Sequence, residues 1–253
     1  AVVSVRQGVA YGALGLAELQ DGRWAPSAPV MVAGVTAVRD AAVLRDGSLV
    51  MAAAQGAFLL TPSGQMTELL PRDSTRAWHG WDARAVAVGP GDEVWLALPQ
   101  GLACRRGSHW TLYEGRDGVP FCDATCCTVA ADGVLWLGTT LGAVRFDGQH
   151  WAYRQGPRWL PDDTVTAVCV TEDGSAWLAT AAGVARLYTV PMTLARKAGF
   201  YETEIDRWHR RTVHGYVIEG RTPAAGVKEA VALSDSDNDG LWTAMYVAAE
   251  AFR

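Results

Sequence analysis

Tryptophan recurs at one interval in this chain: Trp95, Trp136 and Trp177 stand 41 and 41 residues apart. The surrounding residues recur with it. Residues 132–139 (DGVLWLGT) return as 173–180 (DGSAWLAT), with looser copies at 91–98 and 46–53. A second landmark keeps step, because Gly15, Gly56, Gly101, Gly142 and Gly183 are spaced 41, 45, 41 and 41. A period of roughly 40–45 residues containing several short strands is that of a propeller blade.

One unit shows why. Residues 125–130 are β-prone and form the strand expected nearest the channel, and Asp132-Gly133 makes a tight turn because glycine tolerates positive φ. Residues 134–138 are apolar on both alternating faces, as a strand covered on both sides must be. Gly142 starts a third strand, and Asp147-Gly148 turns into a fourth at 150–153. Four strands joined by such turns make one blade. The expectation is an all-β fold, a β-propeller of four-stranded blades over residues 1–189, with about four and a half blades in this chain. Residues 15–24 match 142–151 in their Gly, Asp-Gly and Trp positions, so the chain is expected to start inside a blade. Either four blades close tightly or upstream blades are missing, and of the two the count leads us to expect additional polypeptide outside this chain.

At the repeated position Trp95, Trp136 and Trp177 are expected to fill the wedge between neighbouring blades, whereas Trp24, Trp110 and Trp151 fall on outer strands. Trp78, His79 and Trp81 differ. They lie in residues 76–82 (RAWHGWD), an inter-blade loop before an inner strand, and such loops open onto one end of the channel. They read either as a ligand platform or as local loop packing. Trp159 sits in the corresponding connection before the last unit.

A net charge of -5 and the lack of a long basic run argue against a nucleic-acid partner. No apolar stretch reaches the roughly 18–20 residues of a membrane span. Five cysteines, Cys104, Cys122, Cys126, Cys127 and Cys169, lack paired zinc-site spacing, which leaves buried thiols or one or two disulfides.

The repeat pattern Asp-Gly-x-Leu-Trp-Leu-Gly-Thr, followed by a Gly-Leu-x-Arg-Phe-Asp-Gly segment and a Trp, is matched closely by residues 132–151 and well by 173–186. It resembles the propeller repeats of two-component-regulator sensor proteins, and the likeness covers roughly residues 10–187. That resemblance implies an extracellular or periplasmic ligand-binding module, often glycan-related. It transfers no catalytic residue, and nothing here looks like a histidine kinase.

After Pro191 the pattern turns helical, so residues 190–253 are expected to begin a second domain. Leu194, Ala198, Tyr201, Ile205 and Trp208 share one helix face, and Thr193 is a candidate N-cap. Residues 234–240 (SDSDNDG) then precede a strongly apolar segment. Three readings are open. Asp235, Asp237 and Asp239 occupy positions 1, 3 and 5 of a calcium loop, but Tyr246 stands where a bidentate Glu belongs. Alternatively the segment is an acidic helix N-terminus capped by Asn238 or Asp239. Thirdly, it resembles the inner-helix turns of α/α-toroid glycan-processing enzymes. That likeness implies Asp237 or Asp239 as acid/base, with His209, Arg210 or His214 contacting a uronate or hydroxyl.

Three functions follow: a recognition module acting through Trp78, His79 and Trp81; the docking propeller of a carbohydrate-active enzyme; or a structural interaction module. The partner is a small-molecule or glycan ligand or a protein, and no cofactor is expected apart from calcium at the Asp-rich turn.

Overall fold

The computed structural model describes residues 3–6, 9–12, 15–210, 212–224 and 227–252. The chain divides into two compact units, Ala1–Tyr188 and Thr189–Arg253.

The first unit is a series of antiparallel meanders. Its sheets are β1–β4 (Val3–Arg6, Val9–Gly12, Gly15–Gln20, Arg23–Pro26) and β5–β8 (Val38–Val43, Leu49–Ala53, Ala57–Leu60, Met66–Glu68). Then come β9–β12 (Ala85–Val88, Val94–Leu98, Gly101–Arg106, His109–Tyr113) and β13–β16 (Ala124–Val129, Leu135–Thr139, Gly142–Phe146, Trp151–Arg154). A three-stranded sheet, β17–β19 (Val165–Val170, Ala176–Thr180, Gly183–Leu187), ends the series. A short helix, α1 (Ala28–Val32), joins the first two sheets. These are the blades of a β-propeller. The segment expected to start inside a blade instead forms a complete one, β1–β4, and the short blade is the last.

Local chemistry sets each turn. The carboxylates of Asp46, Asp132 and Asp173 accept the backbone N–H two residues on, at 2.8, 3.1 and 3.0 Å. The intervening Gly47, Gly133 and Gly174 have φ of 83, 85 and 76°, a region that costs glycine nothing.

The first strands β5, β9, β13 and β17 touch in sequence, so they surround the axis. Alternation then divides each blade's side chains between two neighbours. In β10, Val94, Leu96 and Leu98 join the layer shared with β5–β8, while Trp95 and Ala97 join the layer shared with β13–β16. The core is thus a set of interblade layers rather than one central cluster. Trp95 is 2% exposed and Trp136 7%, as the wedge reading requires, but Trp177 is 40% exposed. No later blade among the described residues covers it. Cys104, Cys122, Cys126 and Cys169 are free thiols, and Cys127 is buried.

The second unit contains α2 (Leu194–Trp208), the hairpin β20–β21 (Glu219–Arg221, Ala232–Ser234) and α3 (Asp239–Ala251). Thr193 caps α2, its hydroxyl accepting from Arg196 N at 3.2 Å. Burial here is sparse. Trp208 is the only buried residue of α2, and α3 has none, although Leu241, Trp242, Met245 and Val247 are large and apolar. No helix among the described residues is long and apolar enough to cross a membrane.

Candidate functional site

The inner strands run in one direction, so their starts gather at one mouth of the propeller. At one repeat position, the second residue of β5, β13 and β17 and the residue just before β9, stand Arg39, Thr125, Thr166 and Arg84, with the four spaced 45, 41 and 41 residues along the chain. Three of them, Arg39, Thr125 and Thr166, lie at register shifts of β5, β13 and β17 against the adjoining strand. A bulge re-aims one side chain out of the alternating pattern. Here it points along the ring. Arg39 pairs with Asp82 at 2.5 Å, and Arg84 pairs with both Asp82, at 3.1 Å, and Asp123. Thr140 completes the run, donating to Asp123 Oδ2 at 2.8 Å. Thr125 donates to the carbonyl of Val165 in the next blade.

The result is a belt of alternating charge, Arg39, Asp82, Arg84, Asp123, passing from blade to blade. All four side chains keep between 31 and 41% exposure, so the belt faces solvent. The Arg39 hydrogen bond outweighs burial and, with Arg84, holds the Asp82 carboxyl below its ordinary value. Beneath the belt, Asp40 accepts from Tyr11 Oη at 3.0 Å and from Val86 N at 3.0 Å, tying three blades together.

Directly before Asp82, the loop carries the aromatic residues. Their roles separate. Trp78 is half-buried against the layer between β5–β8 and β9–β12. His79 is exposed, and Trp81 is 67% exposed, with ring centroids 6.0 Å apart. The loop is held from behind by Arg76, which reaches Leu112 O at 2.6 Å, Asp117 at 2.5 Å and Asp73 at 3.2 Å. Trp159 is half-buried under the guanidinium groups of Arg154 and Arg158, 4.6 and 5.2 Å from its ring. The belt was missed from sequence, yet a signal existed. Arg39 and Arg84 share a 45-residue step with Ala37 and Asp82, which adopt the same left-handed φ of 49 and 57°.

In the second unit, Asp235 and Asp237 are exposed, while Asp239 accepts from Ser236 N at 2.9 Å and Ser236 Oγ at 3.1 Å. Helix α3 begins at Asp239, so position 5 and the later positions of the calcium-loop pattern are helical. Among the described residues no group of three His, Cys, Asp or Glu side chains stands close enough to hold a metal. Arg210 is engaged by Asp206 at 2.7 Å and Tyr246 Oη at 2.9 Å. His209 donates Nδ1–H to Ile218 O at 3.0 Å, and His214 is exposed beside Tyr216.

No protein-family model and no curated protein matches the chain. Solved structures do. The extracellular domain of a protein assigned as a hybrid two-component system of B. thetaiotaomicron matches with a TM-score of 0.56 at 12% identity, over 93% of this chain and 32% of that one. A B. thetaiotaomicron extracellular domain assigned to a one-component system gives 0.56 at 13%, over 70% and 27%. Virginiamycin B lyase from Staphylococcus aureus gives 0.50 at 16%, over 77% and 71%. The likeness is one of fold, and this chain spans about a third or less of those sensor domains.

Proposed function

We propose that the first unit is an extracytoplasmic recognition module that binds a glycan at the mouth formed by the starts of its inner strands. The supporting observation is the exposed His79–Trp81 pair adjoining a solvent-facing belt of Arg39, Asp82, Arg84 and Asp123. A sugar presents apolar C–H faces that stack on an indole and hydroxyls that take both donors and acceptors, which an alternating belt supplies. The extracytoplasmic setting is supported by the propeller sensor domains that share the fold, which are extracellular. In the same proposal residues 190–253 open a second, helical domain, supported by the unburied apolar surface of α3.

The test is a glycan array probed with the full chain, followed by calorimetry on any glycan retained. Trp81→Ala is expected to weaken binding about tenfold or more, the loss of one stacking contact. Arg84→Ala weakens it as well by breaking the belt, whereas Trp78→Ala lowers thermal stability. A chain that binds no glycan, or that binds one equally well after Trp81→Ala, refutes the proposal.

A further inference from the structure

A cavity of about 580 Å³ lies wholly within the second unit, between α2, the β20–β21 hairpin and α3. That volume is in the range of small-molecule sites, roughly 300–1,000 Å³. Its walls are mostly apolar, with Ile205, Val217, Trp242 and Met245 contributing. One polar group among them is held in a defined state. His209 lines the cavity, and its Nδ1 lies 3.0 Å from the Ile218 carbonyl, which can only accept. Nδ1 therefore carries the proton, and in the neutral ring Nε2 is an acceptor. A second hydrogen bond, Ile218 N to His209 O at 3.2 Å, locks the same pair. The ring also lies against Gly220, where a Cβ would come within 3.4 Å of Cε1. Among the described residues Nε2 has no hydrogen-bond partner.

The facing wall is fixed too. Asp206 holds Arg210 at 2.7 Å, and Arg210 holds the Tyr246 hydroxyl at 2.9 Å and stacks over its ring at 4.9 Å. Thr243 Oγ1 accepts from Val217 N at 3.1 Å, joining α3 to the segment that carries Ile218. A gap between two helices awaiting more core would need only aliphatic walls. This one, an open pocket whose α3 wall includes half-exposed Trp242 and Met245, also has His209 with its Nδ1 engaged on its lining.

We infer that this cavity binds a flat, largely apolar small molecule bearing one hydroxyl donor, a phenol-like ligand, with Nε2 of His209 accepting from that hydroxyl. A sugar fits less well, because its many hydroxyls would have to be met along a mostly apolar wall by Glu219, Ser236, Asn238 and Tyr246, and each one left buried without a partner is costly. The site is independent of the glycan proposal for the first unit.

The test uses the full chain with 2-naphthol and, as the donor-less control, 2-methoxynaphthalene, with binding followed by calorimetry and ligand fluorescence. We expect saturable one-site binding of 2-naphthol and about tenfold weaker binding of the ether, the worth of one hydrogen bond. His209→Asn keeps a side-chain donor for Ile218 O and removes Nε2, so the two ligands should become equal. Ala249→Trp, which fills the cavity from α3, should abolish both while leaving the circular dichroism unchanged. Lack of saturable 2-naphthol binding overturns the inference. So does equal affinity for the two ligands in the unmodified chain, or binding that survives Ala249→Trp.

Discussion

The fourth blade, β13–β16, and the last, β17–β19, repeat nearly the same residues yet bury them differently. Trp136 faces Arg145 across its strand pair, and Trp177 faces Arg186 in the same register. Trp136 is 7% exposed because Val165, Ala176 and Leu178 of the last blade, with Leu160 of the connection before it, pack over its layer. Trp177 is 40% exposed, and Val184 on the same blade is 62% exposed. The same contrast appears at the bulge. Thr125 bonds across to Val165 of the next blade, while Thr166 bonds back to Ala179 of its own. In a propeller, then, a residue's burial is decided by the next blade and not by its own repeat.

Truncating the two indoles tests this most directly. Trp136→Ala should destabilise the first unit by about 3–5 kcal/mol, the usual cost of emptying a buried aromatic site. Trp177→Ala should cost under about 1 kcal/mol, since its ring is already half in water. Urea unfolding followed by circular dichroism gives both values. Equal losses would mean that Trp177 is covered as Trp136 is, and the contrast between the blades would disappear.

The fold was legible because blade formation is local. The period, the Asp-Gly turns and the two-faced apolar strands each lie within about forty contiguous residues. The exposure of Trp177 was not legible, because it depends on a neighbour that sequence identity at the repeat does not report. The loop's aromatics were found, but sequence could not tell Trp78, tucked into the core, from Trp81, left outside. The charged belt was hidden for a different reason. It joins residues about forty positions apart, such as Arg84 and Asp123, which sit in connections before inner strands rather than in the strand alternation read from sequence. The Asp-rich turn was read as three alternatives, and the structure adds that α3 starts at Asp239 with no side-chain cap hydrogen bond from Asn238, a detail composition could not give.

Acid should expose a second difference between inner and terminal blades. Arg76, 17% exposed, joins Asp73, Glu114 and Asp117, fastening the loop that enters β9–β12 to the turn that leaves it. Burial pushes the Asp73 carboxyl up, but the N–H groups of Thr75 and Arg76, the Thr75 hydroxyl and the Arg76 charge together hold it well below its usual range. Asp117 is likewise held low, first by its hydrogen bond from Arg76. A depressed folded pKa gives stability that is complete above the unfolded value, near 4, and is lost as pH falls through the folded value. Thermal melts should therefore be flat from about pH 8 to 5 and fall steeply below about pH 4. Arg76→Ala should remove about 1–3 kcal/mol at neutral pH and flatten the acid slope. Arg186→Ala breaks the 2.7 Å pair with Asp173 on the last blade, where the arginine is 45% exposed, and should leave both the melting temperature and the acid slope nearly unchanged. An unchanged acid slope in Arg76→Ala would remove this cluster as the anchor of the loop.

The smallest effect leaves stability alone and reads the blade surfaces through their thiols. Cys104 faces Trp95 across β10 and β11, and Cys169 faces Trp177 across β17 and β18. One Cys–Trp pair is sealed between blades, and the other lies on the open blade. Burial pushes the Cys104 thiol up to about 11, so at pH 8 only about one molecule in a thousand carries the reactive thiolate there. Treating the native chain with a disulfide reagent and mapping the labelled peptides by mass spectrometry should find Cys169 modified first. Cys104 and buried Cys127 should lag by about 100-fold or more until urea is added. Labelling of Cys104 at the rate of Cys169 in the folded chain would show that the layer between β9–β12 and β13–β16 opens as readily as the last blade's free face. The comparison between sealed and open blades would then fail where its chemistry is simplest.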